Sequence, residues 1–296
     1  MEISFKSRTI GRMKALETWI DLGKRVLDRG GVALVIGKVD TGKSTLARTL
    51  LRLALDAGRR VAIVDSDIGQ AGFGPPACMS LTLPPRRPIL RFIGATSPAG
   101  HLLQVTVGVK LLVERAWLSG ADLIIVDTSG MIQGPLGILL KLHKIELVHP
   151  NTLLVLQKED ELKSLLQRVP HLPDMEISLL PVSREARVRS PAERRAYRRR
   201  RFSAYFEKAR AGWIDLSLPG RMIFGPSPSV GSLAGLLDAK GETLGLGVVK
   251  RLDANKALLL TPVKTPGAVR FLQISSIRLG PDWEEKDGLR IGEKRF

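Results

Sequence analysis

One short stretch of the chain has residue types and a spacing that suit the binding of a phosphate group. Residues 37 to 44 read Gly-Lys-Val-Asp-Thr-Gly-Lys-Ser, which fits the pattern GxxxxGK[ST]. Glycines let successive backbone N–H groups point at phosphate oxygens, Lys43 can reach the β- and γ-phosphates of a nucleotide, and Ser44 offers a hydroxyl to Mg²⁺. The predicted nucleotide-binding residues are Gly37, Lys38, Val39, Asp40, Thr41, Gly42, Lys43, Ser44 and Thr45.

Two acidic motifs follow apolar runs that predict buried strands. Asp65-Ser66-Asp67-Ile68-Gly69-Gln70 comes directly after the run from Val61 to Val64, and Asp127-Thr128-Ser129-Gly130 closes the run that begins at Asp122. Open α/β sheets bind their ligands at the carboxyl ends of parallel strands, so both motifs are expected near the phosphate loop. Carboxylates such as Asp65 would there face Mg²⁺ and the γ-phosphate, together with the Ser44 hydroxyl.

The elements around these motifs predict an α/β fold with a doubly wound, mostly parallel sheet and helices on both faces. Apolar runs and helical periodicity alternate along the first two thirds of the chain. Strands are predicted at 32–36, 61–64, 89–93, 122–127, 152–156 and 176–180, and helices at 45–57, 101–118, 136–147 and 159–167. The proline-rich stretch 75–88 is predicted to be a surface loop.

The same periodicities divide the chain into three parts. Residues 1–30 predict a helical segment with Met13, Leu16, Trp19, Ile20, Leu22, Val26 and Leu27 on or near one face. Residues 31–211 predict the phosphate-loop domain, including an arginine-rich segment at 184–206. Residues 212–296 change to short alternating strands, predicted at 230–238, 243–252, 256–261 and 269–278, and form a small β domain without an evident site.

The arginine-rich segment has the most unusual composition of the chain. Between Arg184 and Arg201 there are nine arginines and only two acids. A helix is predicted from Ser190, and Tyr197, Phe202, Tyr205 and Phe206 give it an apolar stripe for docking. Two interpretations stay open: a solvated basic face that follows a phosphate backbone, or a lid whose arginines close over transferring phosphates.

Composition narrows the class of protein. The chain of 296 residues carries 46 basic and 29 acidic residues, a net charge of +17, which favours a polyanionic partner such as nucleic acid. Its single cysteine excludes an intrachain disulfide and favours a reducing compartment. No apolar stretch approaches the roughly 18 residues of a membrane span. We therefore expect a soluble cytoplasmic protein without a membrane partner.

The motifs, in their order along the chain, resemble those of the polynucleotide 5′-hydroxyl kinases of the Clp/Grc type. This family includes RNA kinases of mRNA 3′-end formation, tRNA splicing and pre-rRNA processing, and prokaryotic relatives. The resemblance runs from about Gly31 to Phe206. It rests on the phosphate loop with Asp40, the Asp67-Ile68-Gly69-Gln70 box, Thr96-Ser97-Pro98, Thr128-Ser129-Gly130 and the element from Arg189 to Arg194.

The resemblance implies transfer of the γ-phosphate of ATP to the 5′-hydroxyl of a polynucleotide, with Mg²⁺ as cofactor. It implies that Lys43 and Ser44 bind phosphate and metal, and that Asp67 accepts the proton of the attacking hydroxyl. Arg189 and Arg194 would be catalytic lid arginines. Phosphoryl transfer needs a positioned hydroxyl, a metal and cationic clamping of the equatorial oxygens, so these roles agree with the chemistry.

The resemblance also implies roles for residues around this centre. Asp40 would lie by the lid and Gln70 near the metal or phosphate, while Thr96 or Ser97 would belong to an element that clasps the nucleotide. Thr128 would lie close to the acceptor. Active members commonly have a tryptophan where this chain has Met131, which contacts a base but stacks on it less well. The N-terminal β domain of the larger eukaryotic members has no room in 30 residues, so a minimal form is expected.

Two alternatives to the kinase remain at the level of sequence. Lys38 occupies the position of the signature lysine of deviant-loop switch NTPases, which act as dimers, and those proteins also have an Asp-x-Asp like Asp65 and Asp67. A catalytically weak, nucleic-acid-binding relative of the kinase is the other. The sequence Gln157-Lys158-Glu159-Asp160 only faintly resembles a guanine-reading motif, so ATP is the expected donor and GTP the second candidate. RNA is favoured over DNA as acceptor, and no motif indicates an oligomeric state.

Overall fold

The computed structural model describes residues 19–183 and 186–286, which fall into two compact units. Within the described residues, unit 1 comprises 19–67, Ser80–Pro88, 102–183 and 186–188, and unit 2 comprises Ile68–Met79, Ile89–His101 and 189–286. The predicted helical residues Met13 and Leu16 lie outside the described residues, as do Arg184 and Glu185 of the arginine-rich segment.

Helices and strands alternate in the first part of the chain and strands dominate the last part. The helices are α1 (19–29 in its described part), α2 (Lys43–Asp56), α3 (Leu102–Leu118), α4 (Gly134–Val148), α5 (Lys163–Leu166) and α6 (Pro191–Phe206). The strands are β1 (Gly31–Gly37), β2 (Val61–Ser66), β3 (Cys78–Thr82), β4 (Ile89–Phe92), β5 (Leu123–Thr128), β6 (Thr152–Gln157), β7 (Glu176–Pro181), β8 (Arg210–Asp215), β9 (Met222–Phe224), β10 (Ser232–Leu237), β11 (Thr243–Asp253), β12 (Lys256–Thr261), β13 (Phe271–Leu279) and β14 (Glu285–Lys286). None of the described helices combines the length and apolar character that crossing a membrane requires.

Unit 1 is built on a parallel sheet with the strand order β2-β5-β1-β6-β7. Residues 80–82 of β3 add an antiparallel edge beside β2. Strands β1, β2, β5 and β6 are near-continuous apolar runs and are almost wholly buried, as expected for a parallel sheet that helices cover on both faces. In this order, β1, which leads into the phosphate loop, lies directly beside β5, which ends at Thr128. The phosphate loop and the Asp127 motif therefore lie at the same edge of the sheet.

Unit 2 is mainly antiparallel. Its strands follow the order β14-β13-β10-β11-β4, while β12 pairs with β11 and β8, and β9 pairs with β13. Helix α6 packs on this unit through Phe202 and Phe206, whose rings are buried among Phe92, Leu246 and Leu279. The apolar stripe that the sequence predicts on the arginine-rich helix is therefore the face that docks it.

The predicted α/β class and mostly parallel sheet are confirmed, with three local corrections. The stretch 75–88, predicted as a loop, contains β3, because Ser80, Leu81 and Thr82 pair with β2. The run at 89–93 does form a strand, but β4 pairs antiparallel with β11 in unit 2 and is not a member of the parallel set. The helix predicted at 159–167 is reduced to the single turn α5, and Glu159 before it has a left-handed backbone with φ 43°.

The two units divide the chain differently from the three predicted parts. The helix α6, which the sequence analysis assigned to the phosphate-loop domain, belongs to unit 2 by its packing. Strand β8 begins at Arg210, before the predicted boundary at 211/212, and pairs with β12. The predicted domain boundaries stay a prediction.

Candidate active site

The predicted phosphate loop connects β1 to α2 in unit 1. The backbone turns sharply through two left-handed residues, Asp40 with φ 61° and Gly42 with φ 97°. Gly42 is the N-cap residue of α2 and carries no side chain that could cap the helix. The first turn of this 14-residue helix also lacks an acidic residue, so the positive end of its dipole is available to an anion.

Lys43, the first residue of α2, is held inside the loop. Its side chain is buried, with 6% exposed, and its Nζ donates to the carbonyl oxygen of Lys38 at 2.6 Å. The Thr41 hydroxyl donates to the same oxygen at 2.9 Å. Burial lowers the pKa of Lys43, while the carboxylates of Asp127 and Asp67 act in the opposite direction. The ammonium group is thus fixed in the loop and lies within the field of the acidic residues.

Two of the acidic residues lie side by side on neighbouring strands. Asp65 of β2 is in register with Asp127 of β5, and both are 1% exposed. Because residues in register on adjacent strands point to the same side of a sheet, both carboxylates lie on one face. Asp67 follows β2, and its backbone N–H donates to Oδ1 of Asp65 at 3.0 Å. Asp65, Asp67 and Asp127 therefore lie at the edge of the sheet where β1 enters the phosphate loop.

The surroundings of Asp127 shift the pKa of its carboxylate. Burial raises its pKa to about 6, although the Ser44 hydroxyl and the Lys43 ammonium nearby lower it. Neither carboxylate oxygen makes a hydrogen bond of normal geometry with the described residues. A buried carboxylate without hydrogen-bond partners lowers the stability of the folded protein unless a bound ligand or ion interacts with it. Asp127 is therefore a group that a cation would satisfy.

The residues around Asp127 fit a magnesium ion better than a metal held by protein alone. Among residues 19–183 and 186–286, no group of three or more His, Cys, Asp or Glu residues could hold a metal ion. Mg²⁺ is usually bound through one or two protein oxygens together with waters and substrate phosphates. The Ser44 hydroxyl and the Asp127 carboxylate provide that kind of donor set. From the sequence, the Asp127 motif is predicted near the phosphate loop, and Asp65 is the predicted metal ligand. Oδ1 of Asp65 accepts a hydrogen bond from the backbone N–H of Asp67.

The turn after β5 lies directly against the phosphate loop. A Cβ atom added to Gly130 would come within 2.5 Å of the backbone N and Cα of Val39, closer than such atoms approach in proteins. The contact is with backbone, so a side chain cannot rotate away to relieve it. Because residue 130 is glycine, the Thr-Ser-Gly turn can pack directly against the backbone of the phosphate loop.

Replacement of Gly130 by alanine is expected to displace the phosphate loop and weaken nucleotide binding. Overpacking of a rigid contact typically costs about 1–3 kcal/mol. If this cost falls on the nucleotide-bound loop, the Kd for ATP measured by calorimetry rises roughly 5- to 150-fold. Gly212→Ala is the matched control, because an added Cβ there meets nothing within 4 Å. Equal ATP affinity of Gly130→Ala and wild type would show that the loop does not depend on this contact.

Two other predicted residues of unit 1 follow β5. Thr128 is buried, its hydroxyl donates to the carbonyl oxygen of Val35 at 2.8 Å, and it accepts from Lys141 Nζ at 3.1 Å. That hydroxyl is hydrogen-bonded inside the fold, and the contact of Thr128 with an acceptor stays a prediction. Met131, in the turn that follows, is half-buried.

The remaining predicted site residues belong to unit 2. Gln70 Oε1 accepts a hydrogen bond from Arg189 at 3.1 Å, and the Arg189 guanidinium lies 5.5 Å from the centre of the Tyr197 ring. The Tyr197 hydroxyl donates to the carbonyl oxygen of Ala71 at 2.8 Å. These hydrogen bonds connect Gln70 and Ala71 to Arg189 and Tyr197 at the start of the arginine-rich helix. The sequence shows the order of these motifs but not their contact.

The arginines of α6 do not all have the same environment. Arg198 makes a bidentate ion pair with Glu285, both contacts at 2.7 Å, and Arg201 donates to the carbonyl oxygen of Gly74 at 2.6 Å. Arg194 is half-buried, and Arg195 is exposed. Part of the basic segment therefore anchors the helix within unit 2, a role that sequence alone did not separate from ligand binding.

The two predicted clasp residues lie in the turn after β4. Thr96 is half-buried and Ser97 is exposed. The Ser97 hydroxyl accepts from the backbone N–H of Ala99 at 3.3 Å. This is a local turn contact, and the clasp role of Thr96 and Ser97 stays a prediction.

A parallel sheet whose phosphate-loop strand neighbours an acid-bearing strand, with an ordered Lys43 and a helix N-terminus at the loop, defines a P-loop nucleotide-binding protein. Residues 37–208, more than half of the chain, match the family model described as "mRNA cleavage and polyadenylation factor CLP1 P-loop". The chain belongs to this family. The resemblance seen in the sequence motifs is confirmed.

Curated relatives support the same assignment. A polyribonucleotide 5′-hydroxyl-kinase of Pyrococcus furiosus is 31% identical, over 88% of this chain and 92% of the relative. One of Methanocaldococcus jannaschii is 36% identical, over 64% of this chain and 55% of the relative. Among solved structures, wild-type Clp1p in its complex with Pcf11p aligns with a TM-score of 0.72 and 18% identity, over 89% of this chain and 79% of that one. The structural likeness establishes the fold.

Proposed function

We propose that this protein is a polynucleotide 5′-hydroxyl kinase that transfers the γ-phosphate of ATP to the 5′-OH of a nucleic acid. The observation that carries the proposal is the arrangement of Lys43, Ser44, Asp67 and Asp127 in one unit around the phosphate loop. Relatives that cover nearly the same length are named polyribonucleotide 5′-hydroxyl-kinases, which supports the same reaction.

The proposed mechanism assigns each charged residue one task. Lys43 neutralises charge on the β- and γ-phosphates, and Ser44 with Asp127 and Asp65 would hold Mg²⁺, which supplies further neutralisation of the phosphate oxygens when bound. Asp67 accepts the proton of the attacking 5′-hydroxyl. Positioning and charge stabilisation account for most of the catalysis in phosphoryl transfer, so few covalent roles are required of the protein.

Arg189 and Arg194 are proposed to stabilise the charge that develops on the transferred phosphoryl group. The hydrogen bond from Arg189 to Gln70 holds that guanidinium in one orientation. We therefore propose that Gln70 acts near the phosphate by orienting Arg189. Direct contact of Gln70 with the metal is the second proposed role. Thr96 and Ser97 are proposed to clasp the nucleotide.

The proposed acceptor is RNA, with DNA as the second candidate. The net charge of +17 favours a polyanion, and the names of the relatives specify polyribonucleotides. Met131 is proposed to contact the terminal base of the acceptor, with weaker stacking than an aromatic side chain would give. The proposed site of action is the cytoplasm, consistent with a single buried cysteine whose thiol pKa is raised by burial.

Lys38 forms an ion pair within its own chain, a contact that the switch-NTPase alternative does not require. Its ammonium lies 3.9 Å from Glu161 of the same chain, and its carbonyl oxygen accepts from Lys43 and Thr41. These contacts support a role for Lys38 in shaping the loop. A switch NTPase would hydrolyse ATP without an acceptor, and its turnover would depend on Lys38 and on dimerisation.

The proposal is tested by following ADP release with different acceptors. Turnover with Mg²⁺ is compared for ATP and GTP in the presence of 5′-OH RNA, 5′-OH DNA and the same oligonucleotides already carrying a 5′-phosphate. We expect ADP release that depends on a free 5′-OH and is greatest with RNA. Equal ADP release without any oligonucleotide would overturn the kinase assignment and favour the switch NTPase.

Arg194→Ala is expected to slow transfer much more than it weakens nucleotide binding. Loss of one preorganised cation or donor at a developing charge typically costs about 10²- to 10³-fold in rate, and we expect the lower end of this range because Arg189 remains. Single-turnover rates and the Kd for ATP are measured for the variant. Arg195→Ala, in the same helix and exposed, is the matched control. An unchanged rate in Arg194→Ala would leave the basic segment as a binding surface only.

A further inference from the structure

Helix α4 carries two lysines in an environment where lysines are seldom found. Lys141 and Lys144 are 0% exposed and are among the largest fully buried side chains of the described residues. They are three residues apart and so lie on the same face of the helix. A lysine is almost never fully buried unless its amine is paired, because desolvation of the charge is costly. The contacts of these two amines should therefore explain their presence.

Lys144 begins a directed chain of hydrogen bonds across β2 and β5. Its Nζ donates to the Ser66 hydroxyl at 2.8 Å, and that hydroxyl donates to the carbonyl oxygen of Asp127 at 2.8 Å. Ser66 stands between Asp65 and Asp67 in the sequence. Lys144 thus fixes the spacing between the end of the strand that leads to Asp67 and the backbone of Asp127.

Lys141 begins a second chain of hydrogen bonds, which reaches the strand before the phosphate loop. Its Nζ donates to the carbonyl oxygen of Ser129 at 2.6 Å and to the Thr128 hydroxyl at 3.1 Å. The Thr128 hydroxyl donates in turn to the carbonyl oxygen of Val35, at 2.8 Å. The two chains together connect α4 to the carboxyl ends of β2, β5 and β1.

The lysines support the acidic residues from the opposite side of the sheet. Ser66 and Thr128 are in register with one another and alternate with Asp65 and Asp127, so the hydroxyls face α4 while the two carboxylates face the other side. The charges on β2, β5 and α2 reach the lysines nonetheless. Burial lowers the pKa of Lys144 to about 8, opposed by Asp67, Asp127 and Asp65. Burial also lowers the pKa of Lys141 well below its ordinary value, and the charges of Lys144 and Lys43 add to this effect.

Stability alone is a poor reason for this arrangement. Replacing a complete buried ion pair by apolar residues of similar size is often neutral or stabilising, so buried charges are weak evidence for a purely stabilising role. Polar groups that orient the residues of an active site, in contrast, commonly change activity when they are removed. The contacts of Lys141 and Lys144 end at the residues adjoining Asp67, Asp127 and the Thr-Ser-Gly turn that supports the loop.

We propose that Lys141 and Lys144 are positioning residues of the phosphoryl-transfer site, which hold Ser66, Thr128 and Ser129 so that Asp67 and Asp127 keep the spacing that transfer requires. The proposal rests on the kinase function proposed above. The lysines touch neither nucleotide nor acceptor in this account, and they act through the strand ends to which they donate.

The test uses Lys144→Met, which keeps the length and volume of the side chain but removes the amine. We expect kcat for transfer to 5′-OH RNA to fall about 10- to 100-fold, while KM and Kd for ATP stay within about threefold. Thermal unfolding of the variant shows whether it is folded at the assay temperature, so that a fall in kcat can be assigned to the site. Lys110→Met on α3, whose exposed ammonium pairs with Glu114 at 3.4 Å, is the matched control and should leave kcat unchanged.

Ser66→Ala tests the same chain of hydrogen bonds by removing a single oxygen atom, a change that the fold tolerates more readily than loss of an amine. We expect a several-fold fall in kcat, and the Ser66→Ala/Lys144→Met double variant should be no slower than Lys144→Met alone, because both changes break one chain.

The outcomes separate the inference from the function on which it rests. If the wild-type protein transfers phosphate and kcat is unchanged in both single variants, the positioning role is overturned but the kinase function is not. Multiplicative losses in the double variant would overturn the hydrogen-bond chain as the cause. A wild-type protein that transfers no phosphate to a 5′-OH end would overturn the kinase, and this inference with it.

Discussion

Lys43→Ala is expected to abolish measurable transfer of phosphate to a 5′-OH oligonucleotide. The Lys43 ammonium is buried in the loop and is held by the Lys38 carbonyl oxygen, so no other described side chain is fixed in the same place. Its loss removes a preorganised charge from the phosphates, and we expect a fall of roughly 10³-fold or more, about 4 kcal/mol of transition-state stabilisation. Initial rates with saturating ATP and RNA measure the effect.

Lys24→Ala provides the control for this variant. Lys24 is an exposed lysine of α1, and its removal changes net charge by the same amount without touching the loop. The control should keep wild-type activity. Retention of substantial activity by Lys43→Ala would mean that the loop does not bind the transferred phosphate in the way described, and the account of the site would have to be abandoned.

Asp67→Asn is expected to stop transfer while leaving ATP binding within about threefold of wild type. The amide has nearly the same shape as the carboxylate but cannot accept the proton of the attacking hydroxyl, and loss of a general base typically costs about 10²- to 10⁴-fold. The backbone N–H of residue 67 can still donate to Asp65, so the local turn should persist. Single-turnover transfer and ATP titration on the same preparation separate the two effects.

The matched control for Asp67→Asn is Asp56→Asn at the end of α2, where the carboxylate is 70% exposed. It removes an equal charge from unit 1 and should not change the rate. Wild-type phosphorylation by Asp67→Asn would remove Asp67 from the role of base. A parallel loss of ATP affinity would instead make Asp67 a nucleotide- or metal-binding residue.

The phosphate loop and its sheet could be predicted from sequence because their signals are local. A buried strand, a glycine-rich turn and a helix that begins with Lys43 occur in sequence within a few residues, and each apolar run of the parallel sheet is long enough to identify. The Ser190 cap and Pro191 likewise marked the start of α6, where the structure shows a capping box with Glu193.

Features that depend on tertiary packing were not predictable in the same way. In sequence, Lys141 and Lys144 look like the polar face of an amphipathic helix, and only the packing of α4 on the sheet shows that both are buried. The unsatisfied carboxylate of Asp127 is also a property of its surroundings, because an acid at a strand end has the same sequence signature whether it is solvated or buried.

The misassigned strands have a related cause. Strand β3 is only five residues long and lies among prolines, so its pairing with β2 decides its structure more than its own propensity does. Strand β4 has the composition of a parallel strand, but its partner is β11, about 150 residues away in the chain, and no local pattern indicates a pairing over that distance.

The most direct test of the central claim is to find where the γ-phosphate of ATP goes. Purified protein is incubated with γ-labelled ATP, Mg²⁺ and a 5′-OH RNA oligonucleotide, beside the same oligonucleotide with a 5′-phosphate and a Lys43→Ala reaction as the blank. If the protein is the proposed kinase, the label appears on the 5′-OH oligonucleotide alone, at its 5′ end, and a phosphatase removes it. Label released only as free phosphate, or none transferred by an ATP-binding protein, would contradict the kinase and leave a P-loop protein with another task.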